Sequence, residues 1–287
     1  MVEQKPELKK IRGDGVELCL AEWPGEGPPI LAVHGLTANC RAWDSLARKL
    51  SPGRRILAPD LRGRGLSGRP RSGYSVEHHV RDLVAVLDHL HLNRAVVMGH
   101  SLGATIAVVM AAEHPFRVDR LILLDGAGKL PKAQMAKVVE GIKPSLERLG
   151  KTFPSFPAYL GTMKRAPFFH PWNHDLETYF QHEIEEVEDG VRSRVHPDAI
   201  RRELEQLLRF DIAPFFSRVR CRTLILRALR GMLKEDDILL PNPAAARMLH
   251  DIRSAMLVDV EKANHYSILF HPQPVRDEAI KAFLDSP

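Results

Sequence analysis

A serine between two glycines is the feature of this sequence with the clearest chemical meaning. Residues 99–103 read Gly-His-Ser-Leu-Gly, after an apolar run at 95–98 and before an apolar stretch at 104–110. The pattern predicts a strand, a sharp turn carrying Ser101 and a helix, because the glycines let strand and helix approach each other. Such a turn exposes the hydroxyl beside a helix N-terminus, where N–H groups stabilise developing negative charge. The chemistry indicated is nucleophilic attack; the alternative, a tight turn capped by serine, predicts no matching base or acid.

A serine hydroxyl is a weak nucleophile at neutral pH and needs a histidine base within hydrogen-bond reach. The chain contains 14 histidines. We select His265, because residues 264–266, Asn-His-Tyr, follow the last predicted strand in a loop. Its place in the chain, well after the serine, fits the order nucleophile, acid, histidine that is expected on this type of sheet.

The histidine in turn needs an acid that fixes its tautomer and stabilises its charged form. We choose Asp237, which follows a predicted strand at 223–228 and leaves room for one helix and one strand before His265. This placement predicts that two adjacent loops bring the carboxylate and the imidazole together. The alternatives that stay open are Asp236 and Glu235 in the same loop, and Asp125 at the end of an earlier strand.

An oxyanion formed by this chemistry needs two backbone N–H donors. One comes from the residue after the nucleophile, Leu102. For the second we choose Leu36, because Gly35 before it lets the backbone turn its amides toward the serine. The neighbouring His34 is expected to brace this loop by hydrogen bonds rather than to act as a base.

Short apolar runs alternate with helical patterns along most of the chain, after a short antiparallel hairpin at 8–20. Strands that alternate with helices predict an open, mostly parallel sheet covered on both faces, with ligands at the carboxyl ends of the strands. The predicted buried strands are 30–33, 55–58, 95–98, 121–124, 223–226 and 255–260, and the predicted helices between them are 42–50, 76–89 and 102–114.

The alternation of predicted strands and helices stops between residues 129 and 215, where only helical or irregular patterns are expected. We therefore predict a core formed by residues 1–128 and 216–287 with an inserted helical cap at 129–215. Most aromatic residues of the insertion are expected to form its small core, and a minority to line a pocket. They are Phe153, Phe156, Tyr159, Phe168, Phe169, Trp172, Tyr179, Phe180 and Phe215.

The composition of the chain limits which partners the protein is expected to bind and which cell compartment it is expected to occupy. The 287 residues carry a formal net charge of +5, but the cations are mostly dispersed. The densest stretch, Arg62 to Arg71, lies in a Gly/Pro loop without interleaved aromatics, so we expect a solvated or paired loop and no nucleic-acid binding. Three distant cysteines argue against a disulfide framework or a structural zinc site and favour a reducing compartment. With no secretory signal or membrane span in the sequence, we expect a cytoplasmic protein.

With these residues in place, the chain resembles the α/β-hydrolase superfamily over nearly its full length. The resemblance rests on residues 34–36 after the first parallel strand, 59–67 after the next, the serine turn, Asp237 and His265. It implies an eight-stranded sheet with a helical cap after the sixth strand. The loop at 229–234 is longer than is usual in the family.

The resemblance implies acyl transfer to water, because a serine rather than an aspartate stands at position 101. We expect a carboxylic-ester hydrolase that takes a small or medium apolar ester and needs no metal or organic cofactor. The same residues suit a lactonase, a thioesterase or a carbon–carbon bond hydrolase, and the last would use an arginine near the pocket. Arg165, Arg192 and Arg194 are available, although surface ion pairs explain such arginines more often. A ligand-binding protein that retains the fold is the non-enzymatic alternative.

Overall fold

A computed structural model describes residues 5–286. Eight strands form the main sheet in the order β1-β2-β4-β3-β5-β6-β10-β11. The first two pair in antiparallel fashion, and β3 through β6, β10 and β11 run parallel to one another. The mostly parallel α/β sheet predicted from the sequence is therefore confirmed. The strands of this sheet are β1 (Glu7–Arg12), β2 (Glu17–Trp23), β3 (Gly27–Val33), β4 (Arg54–Pro59), β5 (Ala95–His100), β6 (Val118–Leu124), β10 (Arg222–Ala228) and β11 (Ala255–Val260).

Helices cover both faces of the sheet because its central strands are apolar on both sides. In β3, Ile30 and Ala32 belong to one buried cluster, and Leu31 and Val33 belong to the other. A strand buried on both faces reads as a continuous apolar run, which is why a short apolar run bounded by turn residues identified it. The helices outside the insertion are α1 (Asp44–Leu50), α2 (Val76–His89), α3 (Leu102–Glu113), α10 (Asn242–Asp251), α11 (Ser267–Phe270) and α12 (Pro274–Asp285).

The segment between β6 and β10 is not purely helical, so that part of the expectation is wrong. A separate antiparallel sheet in the order β7-β9-β8 lies within it. Its strands have two to four residues each, too short for a readable alternation. The elements of this segment are α4 (Lys132–Gly141), α5 (Lys143–Glu147), β7 (Thr152–Phe153), α6 (Phe156–Met163), α7 (His174–Glu183), β8 (Ile184–Val187), β9 (Gly190–Ser193), α8 (Pro197–Leu207) and α9 (Ala213–Phe216).

Two arginines of the Gly/Pro loop are buried and paired, as expected for a structural loop. Arg62 Nε lies 2.7 Å from the Asp82 carboxylate, which belongs to α2. Arg64 bonds the carboxylate of Glu203 on α8. These two cations stabilise the fold and are unavailable to a phosphate backbone. Among the described helices, none has the length and apolar character of a membrane span.

Candidate active site

Ser101 lies between β5 and α3 in strained backbone. Its φ and ψ are 58° and −119°, a region that non-glycine residues rarely adopt. The glycines explain how the turn closes: a Cβ on Gly99 would lie 2.2 Å from the carbonyl oxygen of Gly103. One on Gly103 would lie 2.0 Å from the carbonyl oxygen of Val33 on the neighbouring strand. The strand–turn–helix prediction is confirmed, and the turn holds the serine at the carboxyl end of the sheet.

His265 lies in the loop after β11, and an asparagine fixes that loop. The side-chain oxygen of Asn264 accepts hydrogen bonds from the amides of Tyr266 and Ser267, at 2.9 and 2.8 Å. Asparagine favours such local turns because its side chain mimics a backbone carbonyl. The histidine is therefore presented by a turn rather than by a helix or strand.

The acid beside His265 is Asp125. Its Oδ2 lies 2.8 Å from His265 Nδ1, and both side chains are buried. Asp125 follows β6 with a φ of 44°, and its Oδ1 accepts a hydrogen bond from the amide of Ala228 at 3.1 Å. A carboxylate at Nδ1 holds the proton there and leaves Nε2 free to accept one.

The choice of Asp237 as the acid is corrected by this geometry. Its carboxylate accepts hydrogen bonds from three amides of its own loop, those of Met232, Leu233 and Lys234. The long loop after β10 folds back on itself around this buried group. Asp236, the neighbouring alternative, is exposed and pairs with Lys137 at 2.6 Å. Spacing along the chain did not distinguish a carboxylate that faces the histidine from one that closes a loop.

A second histidine, His100, supports the first. The two rings stack with centroids 4.5 Å apart, and His100 Nε2 lies 2.9 Å from the carbonyl oxygen of His265. Because a carbonyl only accepts, Nε2 carries the proton and donates it. Burial lowers the pKa of His100 well below its ordinary value, with His265 as a further cause. A neutral His100 positions His265 without a formal charge that would oppose its protonation.

The two residues predicted to supply oxyanion donors both lie close to the serine: Leu102 follows it in the chain and Leu36 lines the same cavity. Leu102 is the first residue of α3, so its amide has no acceptor within the helix. Leu36 follows Gly35, and a Cβ on Gly35 would lie 3.1 Å from the Cβ of Ser101. Arg64 Nε holds the carbonyl of Leu36 at 2.9 Å. The backbone therefore passes close to the serine at Gly35, and the hydrogen bond from Arg64 fixes the carbonyl of Leu36.

His34 braces this strand end, as the sequence predicted. Its Nε2 accepts the amide of Leu61 at 2.9 Å, so its Nδ1 donates to the carbonyl of Gly35 at 2.8 Å. Full burial lowers the pKa of His34 to about 4. Both ring nitrogens are used within the loop, which leaves neither available as a catalytic base.

Ser101 and His265 line one cavity of ≈ 50 Å³. Its wall is mostly apolar, and its polar groups include the hydroxyls of Ser145 and Tyr266, which lie 2.7 Å apart. No lysine or arginine is among the described residues of that wall. The others lining it are Gly35, Leu36, Thr37, Ala38, Ala42, His100, Ile142, Leu146, Tyr179, Leu269 and Phe270.

A buried ion pair behind this wall escaped sequence reasoning. Arg148 forms a two-pronged contact with Glu183, at 2.7 Å for each prong. It also donates to the carbonyls of Ser145 and Thr37, two residues that line the cavity. The partners are far apart in the chain, so no local motif marks them. The arginine supports the wall, with donors directed to protein acceptors.

The three arginines considered from the sequence lie at the surface or in ion pairs. Arg192 and Arg194 both contact Glu185, at 2.8 and 3.7 Å. Arg165 is exposed in the turn after α6 and donates to the hydroxyl of Thr162, near the end of that helix. The surface explanation holds for these residues, and none of them lines the cavity of Ser101.

Comparisons with known proteins agree with the sheet and the serine turn. A model of the family described as "alpha/beta hydrolase fold" matches residues 28–158. An uncharacterized protein of Mycobacterium tuberculosis is 42% identical over 107 residues, which cover 36% of this chain and 30% of that protein. The chain thus spans under a third of the length of that curated relative.

Longer matches exist at lower identity. A 2-hydroxymuconate semialdehyde hydrolase of a Pseudomonas species is 32% identical over 54% of this chain and 56% of its own length. A 2-(acetamidomethylene)succinate hydrolase of Mesorhizobium japonicum is 26% identical over 91% of this chain and 90% of its own. The crystal structure of an E-2-(acetamidomethylene)succinate hydrolase has a TM-score of 0.84 at 24% identity, over 98% of this chain and all of that one. Sheet order, serine turn and these likenesses together show that the chain has the α/β-hydrolase fold.

Proposed function

We propose that this protein is a serine hydrolase in which Ser101, His265 and Asp125 form the catalytic triad. The single observation that carries the proposal is the 2.8 Å contact of His265 Nδ1 with Asp125, made by a histidine that lines the same cavity as the strained serine. A histidine held in this way serves as a base at Nε2. An isolated serine turn would not need a partner of this kind.

The reaction follows from this arrangement. Ser101 Oγ attacks the substrate carbonyl while its proton passes to His265 Nε2, and Asp125 stabilises the resulting imidazolium. The amides of Leu36 and Leu102 bind the oxyanion. His265 then returns the proton to the leaving group, an acyl-enzyme forms, and water activated by the same histidine releases the acid. The residues supply every proton transfer, so the reaction needs no cofactor.

The cavity favours a small, uncharged acyl group. Its wall is apolar apart from a few hydroxyls and the catalytic side chains, and the nearby Arg148 is directed toward Glu183 and backbone carbonyls. A carboxylate buried there would lack a cation, which is costly in a desolvated site. We therefore propose a carboxylic ester of a small acyl group as the first substrate class, handled by a protein of the reducing cytoplasm.

Carbon–carbon bond hydrolysis is the second candidate. It is favoured by the likeness to a 2-hydroxymuconate semialdehyde hydrolase over about half of the chain. Substrates of that kind, like a succinate derivative, carry carboxylates, and the present wall offers them hydroxyl donors from Ser145 and Tyr266. Lactones and thioesters suit the same triad.

Intact-mass analysis after incubation with a fluorophosphonate tests the enzyme proposal without a choice of substrate. We expect one adduct on the wild-type protein and none on Ser101→Ala, with circular dichroism confirming that both are folded. If the folded wild-type protein forms no adduct, the serine is not activated, and the result favours the alternative that the protein binds a ligand without hydrolysing it.

A substrate panel then separates the two candidates. The panel holds p-nitrophenyl acetate, butyrate and octanoate, a γ-lactone, an acyl thioester and 2-hydroxymuconate semialdehyde. The ester proposal predicts that kcat/KM is highest for the acetate or butyrate. A higher kcat/KM on the semialdehyde would reverse the order of the two candidates and leave the triad intact.

A further inference from the structure

Three potential metal ligands meet about the end of α7, away from the triad, and a fourth, Cys40, lies beside them. They come from separate segments: Cys19 lies on β2, Cys40 begins the short 3₁₀ helix Cys40–Trp43 that follows β3, Asp60 comes directly after β4, and His182 lies on α7. His182 Nε2 lies 2.8 Å from Asp60 Oδ2 and 3.4 Å from Cys40 Sγ. One ligand atom from each of Cys19, Asp60 and His182 lies within 4.8 Å of the other two. Cys40 is not part of that group of three and contacts it at His182.

The set of donors fits zinc. Two thiolates, an imidazole and a carboxylate are ligands that Zn²⁺ takes in tetrahedral sites, with bonds of about 2.0–2.3 Å. Those bonds place ligand atoms about 3.3–3.8 Å from one another around the ion. The 3.4 Å between Cys40 Sγ and His182 Nε2 already has that spacing. The 2.8 Å between His182 Nε2 and Asp60 Oδ2 would lengthen by about 0.5 Å to admit an ion, and the ligand atom of Cys19 lies within 4.8 Å of both groups.

Three of the four ligands are held in place by the core of the fold. The amide of Asp60 donates to the carbonyl of Cys19 at 2.7 Å, and the amide of Cys40 donates to Asp60 Oδ1 at 2.7 Å. Cys19 and Cys40 are buried, and the His182 side chain is 6% exposed. Ligands fixed before binding cost little to order, which favours a structural site.

We propose that Cys19, Cys40, Asp60 and His182 bind one zinc ion that fastens α7 to β2 and to the segments that follow β3 and β4. An ion pair of His182 with Asp60 would use two of these groups, whereas a metal uses all four. On binding, the thiols of Cys19 and Cys40 each lose a proton, and His182 coordinates through Nε2 with its proton on Nδ1. The role is structural because four protein ligands leave no open position for a substrate.

The site bears on the catalytic cavity through α7. Tyr179 lies one turn before His182 and lines the cavity of Ser101, and its carbonyl accepts a hydrogen bond from Asn39 at 3.2 Å. A metal bond at His182 would therefore fix one wall of that cavity. The cysteine spacing in the sequence argued against zinc because the four ligands lie far apart along the chain and meet only in the fold.

Titration of the reduced, metal-free protein with Co²⁺ tests the site, because thiolate-bound cobalt absorbs light by sulfur-to-metal charge transfer. We expect this absorption to saturate at one ion per chain and to be displaced by Zn²⁺. Cys40→Ser and His182→Gln should weaken cobalt binding at least about tenfold, while Cys221→Ser, which removes the thiol outside the cluster, should leave it unchanged. Glutamine at position 182 retains a donor for Asp60, so that variant is expected to fold.

Thermal unfolding supplies a second readout that is independent of enzyme activity. Zinc at about 100 times its dissociation constant should raise the Tm of the wild-type protein by about 5 °C or more, and a chelator should reverse the shift. The shift should be lost in His182→Gln. Absence of charge-transfer absorption in the folded, reduced wild-type protein would overturn the proposal. So would retention of full cobalt binding in both variants, or a Cys19–Cys40 disulfide that persists under thiol reductant.

Discussion

Two aspartates follow neighbouring strands of the sheet, and only one of them faces the histidine. Asp125 follows β6 and Asp237 lies in the loop after β10, and both are almost fully buried. The carboxylate of Asp237 is occupied by three amides of its own loop. In Asp125, one carboxylate oxygen accepts a hydrogen bond from the amide of Ala228, and the other lies against Nδ1 of His265. Burial and strand position are shared, so the difference lies in which groups use the carboxylate oxygens.

The comparison predicts its largest effect at Asp125. Asp125→Asn should lower kcat on an ester substrate by about 10⁴-fold, because the amide no longer holds the proton on His265 Nδ1. The isosteric change keeps the volume of the side chain, and circular dichroism should show an unaltered fold. A loss of less than about tenfold in the folded variant would remove Asp125 from the triad.

His34 is a buried histidine whose two ring nitrogens both form hydrogen bonds. Its effect is expected in the way the free energy of unfolding depends on pH. The folded-state pKa of His34 is about 4, below the ordinary value of 6.5, because burial disfavours its charged form. The unfolded chain therefore binds more protons between these two values, and the free energy of unfolding falls as the pH drops through that window. From pH 6.5 to pH 5 this histidine alone accounts for a loss of about 2 kcal/mol.

Urea denaturation at several pH values measures this loss. His34→Gln should flatten the profile between pH 6.5 and 5, whereas His89→Gln, a change at an exposed position on α2, should leave it as steep as in the wild-type protein. An equally steep profile in His34→Gln would show that other groups produce the acid sensitivity.

Asp237 should respond in stability and not in catalysis. Asp237→Asn removes an acceptor from the amides of Leu233 and Lys234, so we expect the free energy of unfolding to fall by about 2 kcal/mol. At a temperature where the variant is folded, kcat should stay within about threefold of the wild-type value. A catalytic loss as large as that of Asp125→Asn would restore Asp237 as the acid.

The smallest effect is expected at His100, which acts through His265. His100→Phe keeps a ring for stacking but removes the donor to the carbonyl of His265, and we expect kcat/KM to fall about tenfold. His100→Gln retains a donor and should recover most of the activity. A structural role alone would lower the Tm of both variants without this difference in kinetics.

Much of the fold could be predicted because short stretches of neighbouring residues determine its strands and the serine turn. Six apolar runs bounded by turn residues correspond to β3–β6, β10 and β11, and the glycines around Ser101 require a close approach that only one kind of turn provides. His265 was found because it stands in the loop directly after the last predicted strand, late in the chain. These features depend on neighbours in the chain, which the sequence displays directly.

The rest depends on contacts between distant segments. Nothing near Asp125 or Asp237 in the chain tells which one meets His265, because the answer lies in how the loop after β10 folds around its own carboxylate. The pair of Arg148 with Glu183 and the small sheet in the insertion were missed for the same reason. The division into a core and a cap stays a prediction.

The most direct test of the central claim is the rate at which a fluorophosphonate labels Ser101 in Asp125→Asn and Asp237→Asn, measured side by side at one pH on folded protein. The triad of Ser101, His265 and Asp125 predicts labelling slowed by at least about a thousandfold in Asp125→Asn and within about threefold of wild type in Asp237→Asn. The reverse pattern, fast labelling of Asp125→Asn and slow labelling of Asp237→Asn, would contradict it.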